Sequence, residues 1–173
     1  MILETIRMFA DALATGSYGV NAQLTSLTYD GSDPRPASIT TVADETRNNQ
    51  VAIGRYPSDY PCLTVELDEG ATVVMSGEIG TNNREAEIPV MVRYVQTNLE
   101  GDTGNQDAYY TLRAVEKCLA VFMDNVNASD RVRNYIQILV CNAVEHVELN
   151  ESTEDAFVTG GLRVRFHVRD IAP

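Results

Sequence analysis

Two imidazoles, three thiols and a large excess of carboxylates are the groups in this chain that could do chemistry. His146 and His167 are the imidazole bases available to a Ser or Cys nucleophile. Both fall in stretches with strand periodicity, and no GxSxG elbow presents a serine to either. Cys62, Cys118 and Cys141 each sit inside an apolar stretch. An odd count without CxxC spacing suits neither a disulfide framework nor a structural zinc site, so small buried residues are expected. A phosphate-binding loop needs GxxxxGK[ST] or GxGxxG, and neither occurs. Gly16-Ser17-Tyr18-Gly19 is a lone GxxG without basic neighbours and reads as a linker between two helices. Asp102, Asn105 and Asp107 could line a calcium-like loop, but the central Gly and terminal Glu of an EF-hand are missing, which leaves a solvated loop and a helix cap. His146, between Glu145 and Glu148, reads as a half-buried strand residue. The couples Glu66/Asp68 and Glu85/Glu87 are i, i+2 pairs, as a solvated strand face in an acidic chain would show. No catalytic, cofactor-binding or metal-binding set is expected.

One stretch departs from the acidic texture. Arg163, Arg165, His167 and Arg169 alternate with Leu162, Val164, Phe166 and Val168. The arginines have two readings. One is a cross-strand ladder with Glu66, Asp68, Glu85, Glu87, Glu145 or Glu148, each pair contributing roughly a few tenths of a kcal/mol. The other is a basic face that meets an acidic face of the next subunit, a heterologous contact of the kind that closes rings. Both can hold in part. Arg163, Arg165 and Arg169, with Glu85 and Glu87, are the candidate subunit interface.

The elements that would carry these residues follow from periodicity. Ile2, Ile6, Phe9 and Leu13 recur at helical spacing with Glu4, Arg7 and Asp11 on the other side, and Gly16 stops the helix. Charges at Glu4, Arg7 and Asp11 are unlike a signal-peptide apolar run. A shorter helix carries Val20, Leu24 and Leu27, closed by Asp30-Gly31. Residues from about 31 to 61 hold four of the six prolines and read as a long irregular excursion, with a short strand at Val51 to Ile53. The period then becomes two: Leu63, Val65 and Leu67, then Val73 to Ile79, a turn at Gly80 to Asn83, and a strand with Ile88, Val90, Val92 and Tyr94 on one face. Glu85, Glu87, Met91 and Arg93 share its other face, so the middle of the chain reads as an antiparallel hairpin or meander. After a polar loop from Asn98 to Gln106, a helix follows with the stripe Ala108, Leu112, Val115, Leu119 and Phe122, Cys118 beside it, and Asp107 at its start. Two strands close the chain, the first from Ile136 towards Leu149 with a bulge near Asn142. The order predicts an α+β fold: a mixed or antiparallel sheet of about five strands with helices packed on one face, as a single domain over residues 1–173.

Composition agrees with a globular domain: 173 residues, 44 % hydrophobic and 22 % charged. The net charge of −12 disfavours generic nucleic-acid binding, which needs Lys and Arg for phosphate contacts, but suits a conduit past which DNA must slide. No apolar run approaches membrane-spanning length, and a reducing cytosol, or a particle built there, is the expected setting.

The order and texture of these elements resemble the tail terminator (tail completion) proteins of long-tailed bacteriophages. The features are the opening helix, Gly19-Val20-Asn21-Ala22 leading into a second helix, and the excursion ending in Tyr60-Pro61-Cys62-Leu63-Thr64-Val65. They continue with the strand from Arg84 to Val92, the helix around Leu112 to Phe122, and the late strands Ile136 to Val140 and Leu162 to Val168. The chain is longer than compact members, chiefly in the 32–61 and 98–106 stretches. The resemblance implies a non-enzymatic virion protein, assembled in the host bacterial cytoplasm, that forms a hexameric ring. The ring would cap the head-proximal end of the tail tube, stop its polymerisation and dock the neck or head-completion protein. DNA would pass through its lumen without specific binding, and no membrane or cofactor would be involved. The alternatives are a neck or head-closure connector, a small adaptor with an acidic face, or an enzyme built from scattered carboxylates and a His.

Overall fold

The structure is a computed structural model that describes residues 2–30, 36–44, 60–68, 72–77, 84–97, 104–128, 136–152 and 157–170. Its elements run α1 (Ile2–Ala14), α2 (Val20–Ser26), β1 (Thr41–Asp44), β2 (Cys62–Leu67), β3 (Val74–Ser76), β4 (Glu85–Thr97), α3 (Gly104–Ala128), β5 (Ile136–Ser152) and β6 (Phe157–Asp170). Five strands lie in the order β1-β2-β4-β6-β5, and the short β3 pairs with β4 on the same edge as β2, further along it. The β1/β2 pair is parallel and the other pairs are antiparallel, so the sheet is mixed and the fold is α+β. Strand β1 falls within the stretch expected to be irregular. Four residues are too few for periodicity to register, and a backbone contact holds the strand in place: the Thr40 N–H donates to the Pro61 carbonyl at 2.9 Å. The strand expected at Val51 to Ile53 and the turn at Gly80 to Asn83 lie outside the described residues.

Helix α1 forms where the apolar spacing demands it, with Ile6, Phe9 and Leu13 buried and Ile2 packed at the margin. Its end is built from local bonds. Thr15 returns its hydroxyl to the Asp11 carbonyl at 2.9 Å, and the Gly19 N–H donates to the Thr15 carbonyl at 2.7 Å. That tight turn requires glycine at 19, since a Cβ there would collide with the carbonyl oxygens of Leu13 and Thr15, whereas a Cβ at Gly16 meets open space. In α2, Val20 and Leu24 turn inward. Asn21 on the same helix makes a two-way bridge to Ile39. Its Nδ2 donates to the Ile39 carbonyl at 2.9 Å and its Oδ1 accepts the Ile39 N–H at 2.7 Å. The segment leading into β1 is thereby fastened to α2.

Strand alternation sorts the sheet into two faces. Leu63 and Val65 of β2, Ile88, Val90, Val92 and Tyr94 of β4, and Leu162, Val164, Phe166 and Val168 of β6 are all buried in the main core. Helix α1 lies along β1 and β2, α3 along β4, β6 and β5, and α2 against α3. Helix α3 starts at Gly104, a little before the expected point. It buries Ala108, Leu112, Val115, Cys118, Leu119 and Phe122 while Arg113 and Lys117 stay exposed. Each fully buried large apolar side chain contributes roughly 1.5–3 kcal/mol relative to exposure. Three rings join the layers. Phe9 of α1 meets Phe166 of β6 at 5.1 Å and Phe122 of α3 at 5.9 Å, in edge-to-face and tilted geometry. Strand β5 departs from the single bulge expected near Asn142, with register shifts at Ile138/Val140, Ala143/Glu145 and Val147/Asn150.

Gly19→Ala is expected to destabilise the fold by about 2 kcal/mol or more, because the new methyl group meets backbone on two sides, while Gly16→Ala stays within about 0.5 kcal/mol of wild type. Urea denaturation of both variants checks this, and equal midpoints would refute the turn geometry.

Candidate functional site

The side of the sheet away from the helices carries the charged residues. Their neighbours follow from register: Glu85 stands opposite Arg169, Glu87 opposite His167, Pro89 opposite Arg165 and Met91 opposite Arg163. Arg169 donates from Nε and Nη2 to one Glu85 oxygen at 2.9 and 2.6 Å, and His167 Nε2 lies 3.0 Å from the other. The Arg169 hydrogen bonds hold the Glu85 carboxyl below its ordinary value of 4.5, partly opposed by desolvation and assisted by His167. Arg163 reaches across the width of β4. Its Nε lies 3.1 Å from Asp68 Oδ2, and Met91, in register between β6 and β2, is buried. The backbone N–H of Asp68 donates to the Pro89 carbonyl at 3.1 Å, which holds Asp68 beside the strand end. Arg93 pairs with Glu66. Arg163 and Arg169 are thus engaged within the chain, in the manner of a cross-strand ladder.

Arg165 and Glu87 are different. Both are exposed, and among the described residues neither has an ion-pair partner. The residue opposite Arg165 on β4 is Pro89, which has no group to offer, and on β5 the register position is Asn142. The residue opposite Glu87 is His167, whose ring nitrogen is directed to Glu85. Glu145 is in register with Arg163, but its side chain lies outside the described residues, as do those of Glu148, His146 and Cys141.

A second polar cluster sits inside the core. Tyr94, buried, donates its hydroxyl to Gln96, and Gln96 hydrogen-bonds the Asp107 carboxyl in the first turn of α3. Asp107 is at the helix start, as expected, but buried rather than solvated. Desolvation raises its pKa above 3.8, with the Gln96 hydrogen bond opposing. Burial also pushes the Tyr94 phenol up, with the Asp107 charge adding to the effect. Neither Tyr94 nor Gln96 stands out in sequence as a polar pair. The available signal is a Gln at the end of an apolar strand face, followed after one polar loop by an Asp at the start of the predicted helix. Asp102 lies outside the described residues, as does the Asn105 side chain.

Burial pushes the Cys118 thiol up to about 12, and its Sγ contacts the Tyr18 carbonyl at 3.5 Å, so it is a neutral thiol in the core. Cys62 is also buried and free. Among the described residues no group of three or more His, Cys, Asp or Glu is placed to hold a metal ion. No helix among them is long and apolar enough to cross a membrane.

No known protein family matches the chain, and no curated protein does. Among solved structures, one described as "Virion of native gene transfer agent (GTA) particle" contains a chain similar to this one. The similarity covers 92 % of this chain and 91 % of that chain, at 12 % sequence identity and a TM-score of 0.49.

The two carboxyls with shifted pKa values have opposite signatures. Glu85 has a folded value below 4.5, so its contribution to stability is complete above that pH and is lost as pH falls through the folded value. Glu85→Gln is expected to be less stable than wild type at neutral pH, the two converging in acid. Asp107 has a folded value above 3.8, so its contribution is complete below that pH and is lost as pH rises through the folded value. Asp107→Asn, which keeps an acceptor for Gln96, is expected to match wild type in acid and exceed it at neutral pH. Denaturation midpoints across the pH range read both, and curves parallel to wild type would refute the assigned environments.

Proposed function

We propose that this chain is a structural subunit of a bacteriophage-like virion: a tail terminator that assembles as a ring on the head-proximal end of the tail tube, stops its polymerisation and joins the tail to the neck. The reading is non-enzymatic and places the protein in the tail or neck of the particle. The observation that carries it is the element order α1, α2, β1, β2, β3, β4, α3, β5 and β6, in which the helices and strands behind the sequence resemblance follow one another as expected, with the short β1 added inside the excursion. The one-sided packing supports it as well. All three helices lie on one face, and the other face is left with exposed charged side chains of both signs, which suits a subunit that touches its copies. In a ring of acidic copies, a negative lumen would repel the DNA backbone and let the genome pass.

The tube protein and the neck or head-completion protein are the partners of this reading. Light scattering on a size-exclusion column, with and without purified tail tubes and over a range of salt, tests it. A species of about six copies, or a monomer driven into one by the tubes, is the expected result for a closed ring. Added protein should also cut tube growth short. A monomer or dimer indifferent to tubes would overturn the proposal. Binding to filled heads with no effect on tubes would replace the terminator with a neck connector.

A further inference from the structure

The charged face of the sheet differs from the rest of the molecule in its balance of charge. Its described side chains carry four arginines and four carboxylates. The chain as a whole carries −12, with 13 basic against 25 acidic residues. Two copies of so acidic a chain repel one another in most orientations, and a patch that presents both signs is a place where that repulsion can be offset.

The face also has vacancies of both signs. Arg163 is engaged by Asp68, Arg169 by Glu85 and Arg93 by Glu66. Those pairs tie β2, β4 and β6 together and set their side chains along the sheet. Arg165 and Glu87 lie on the two central strands β6 and β4, offset by two residues in register and therefore on the same face. Both are exposed and, among the described residues, without an ion-pair partner. A partner of a single sign would satisfy one of them and repel the other. A second copy of this chain carries the complement of each.

We propose that Arg165 of one copy meets Glu87 of the next, and that this pair sets the register between copies while Arg163 and Arg169 remain intrachain ties. The proposal rests on the self-assembly contained in the function proposed above, and it narrows five candidate interface residues to two that act between chains. Charge pairs at an interface act chiefly on specificity and register, so reversal of one partner places like charges together and is strongly unfavourable.

The experiment uses the full chain as Arg165→Glu, Glu87→Arg, a one-to-one mixture of these two, and the double variant with both substitutions in one chain. Circular dichroism and melting establish that each is folded, and light scattering gives its mass. Each single variant is expected to associate about tenfold or more weakly than wild type. The mixture should recover assembly, because the introduced acid of one variant meets the introduced base of the other and the copies alternate. Arg165→Gln should fall between wild type and Arg165→Glu, which keeps the test readable if charge reversal disturbs the fold. Single variants that assemble like wild type would overturn the pair while leaving the ring intact. So would a mixture that stays dissociated when the double variant assembles, the signature of an intrachain pair. A wild-type chain that never assembles, with or without tail tubes, would overturn the ring reading itself and the pair with it.

Discussion

Phe166 is the residue through which the two faces of this protein are mechanically joined. Its ring packs edge-on to Phe9 of α1 at 5.1 Å and to Phe122 of α3 at 6.4 Å, so one side chain on β6 receives both long helices. Its chain neighbours Arg165 and His167 point the opposite way, as strand alternation requires. The side-chain period is two, so a one-residue slip of β6 would place Arg163, Arg165 and Arg169 under the helices and Phe166 in water. The aromatic contact therefore determines which residues the open face presents. Charge pairs worth roughly a few tenths of a kcal/mol each decorate a register set by burial worth several times more.

Strand β4 shows what the same backbone does to polar groups at its two ends. Glu85, at the start, faces solvent with Arg169 and His167 beside it, and its ionised form is favoured. Tyr94 and Gln96, near the finish, face the core, and the hydrogen-bonded chain through them ends on Asp107, whose ionised form is disfavoured by burial. Two carboxyls are thus driven in opposite directions by the strand face they neighbour. The core cluster also has a positional role, because it connects the end of β4 to the first turn of α3 across the segment that joins them. A hydrogen-bonded polar group at that junction specifies how the helix enters the core more narrowly than apolar contact alone would.

The proposed self-assembly of so acidic a chain would have a definite physical requirement. Hydrophobic contact gives no direction, and net repulsion acts in every orientation. A face on which both signs are exposed, Arg165 and Glu87 among the described residues, supplies a preferred approach. The intrachain pairs matter here as much as the free ones. Without Asp68, Glu85 and Glu66, four arginines on adjacent strands would repel one another and blur the pattern that the proposed contact requires.

Much of the fold was legible in the residues alone. The stripe Ala108 to Phe122, the alternation from Leu162 to Val168 and the inward set Ile88, Val90, Val92 and Tyr94 each repeat often enough to declare both element and buried face. The α+β class and the one-sided packing of the helices follow from that repetition. Strand β1 was not legible, because four residues held by an Asn21 bridge and a parallel partner leave no periodic trace. At the charged face, sequence determined that three arginines share one side of a strand. It could not determine which carboxylate meets which arginine, because that depends on the order β2-β4-β6 and on registers between residues as far apart in the chain as Glu85 and Arg169. Local spacing decides the side of a strand on which a residue lies. Only the tertiary structure decides what stands opposite, and through it that Arg163 and Arg169 are engaged while Arg165 and Glu87 face outward.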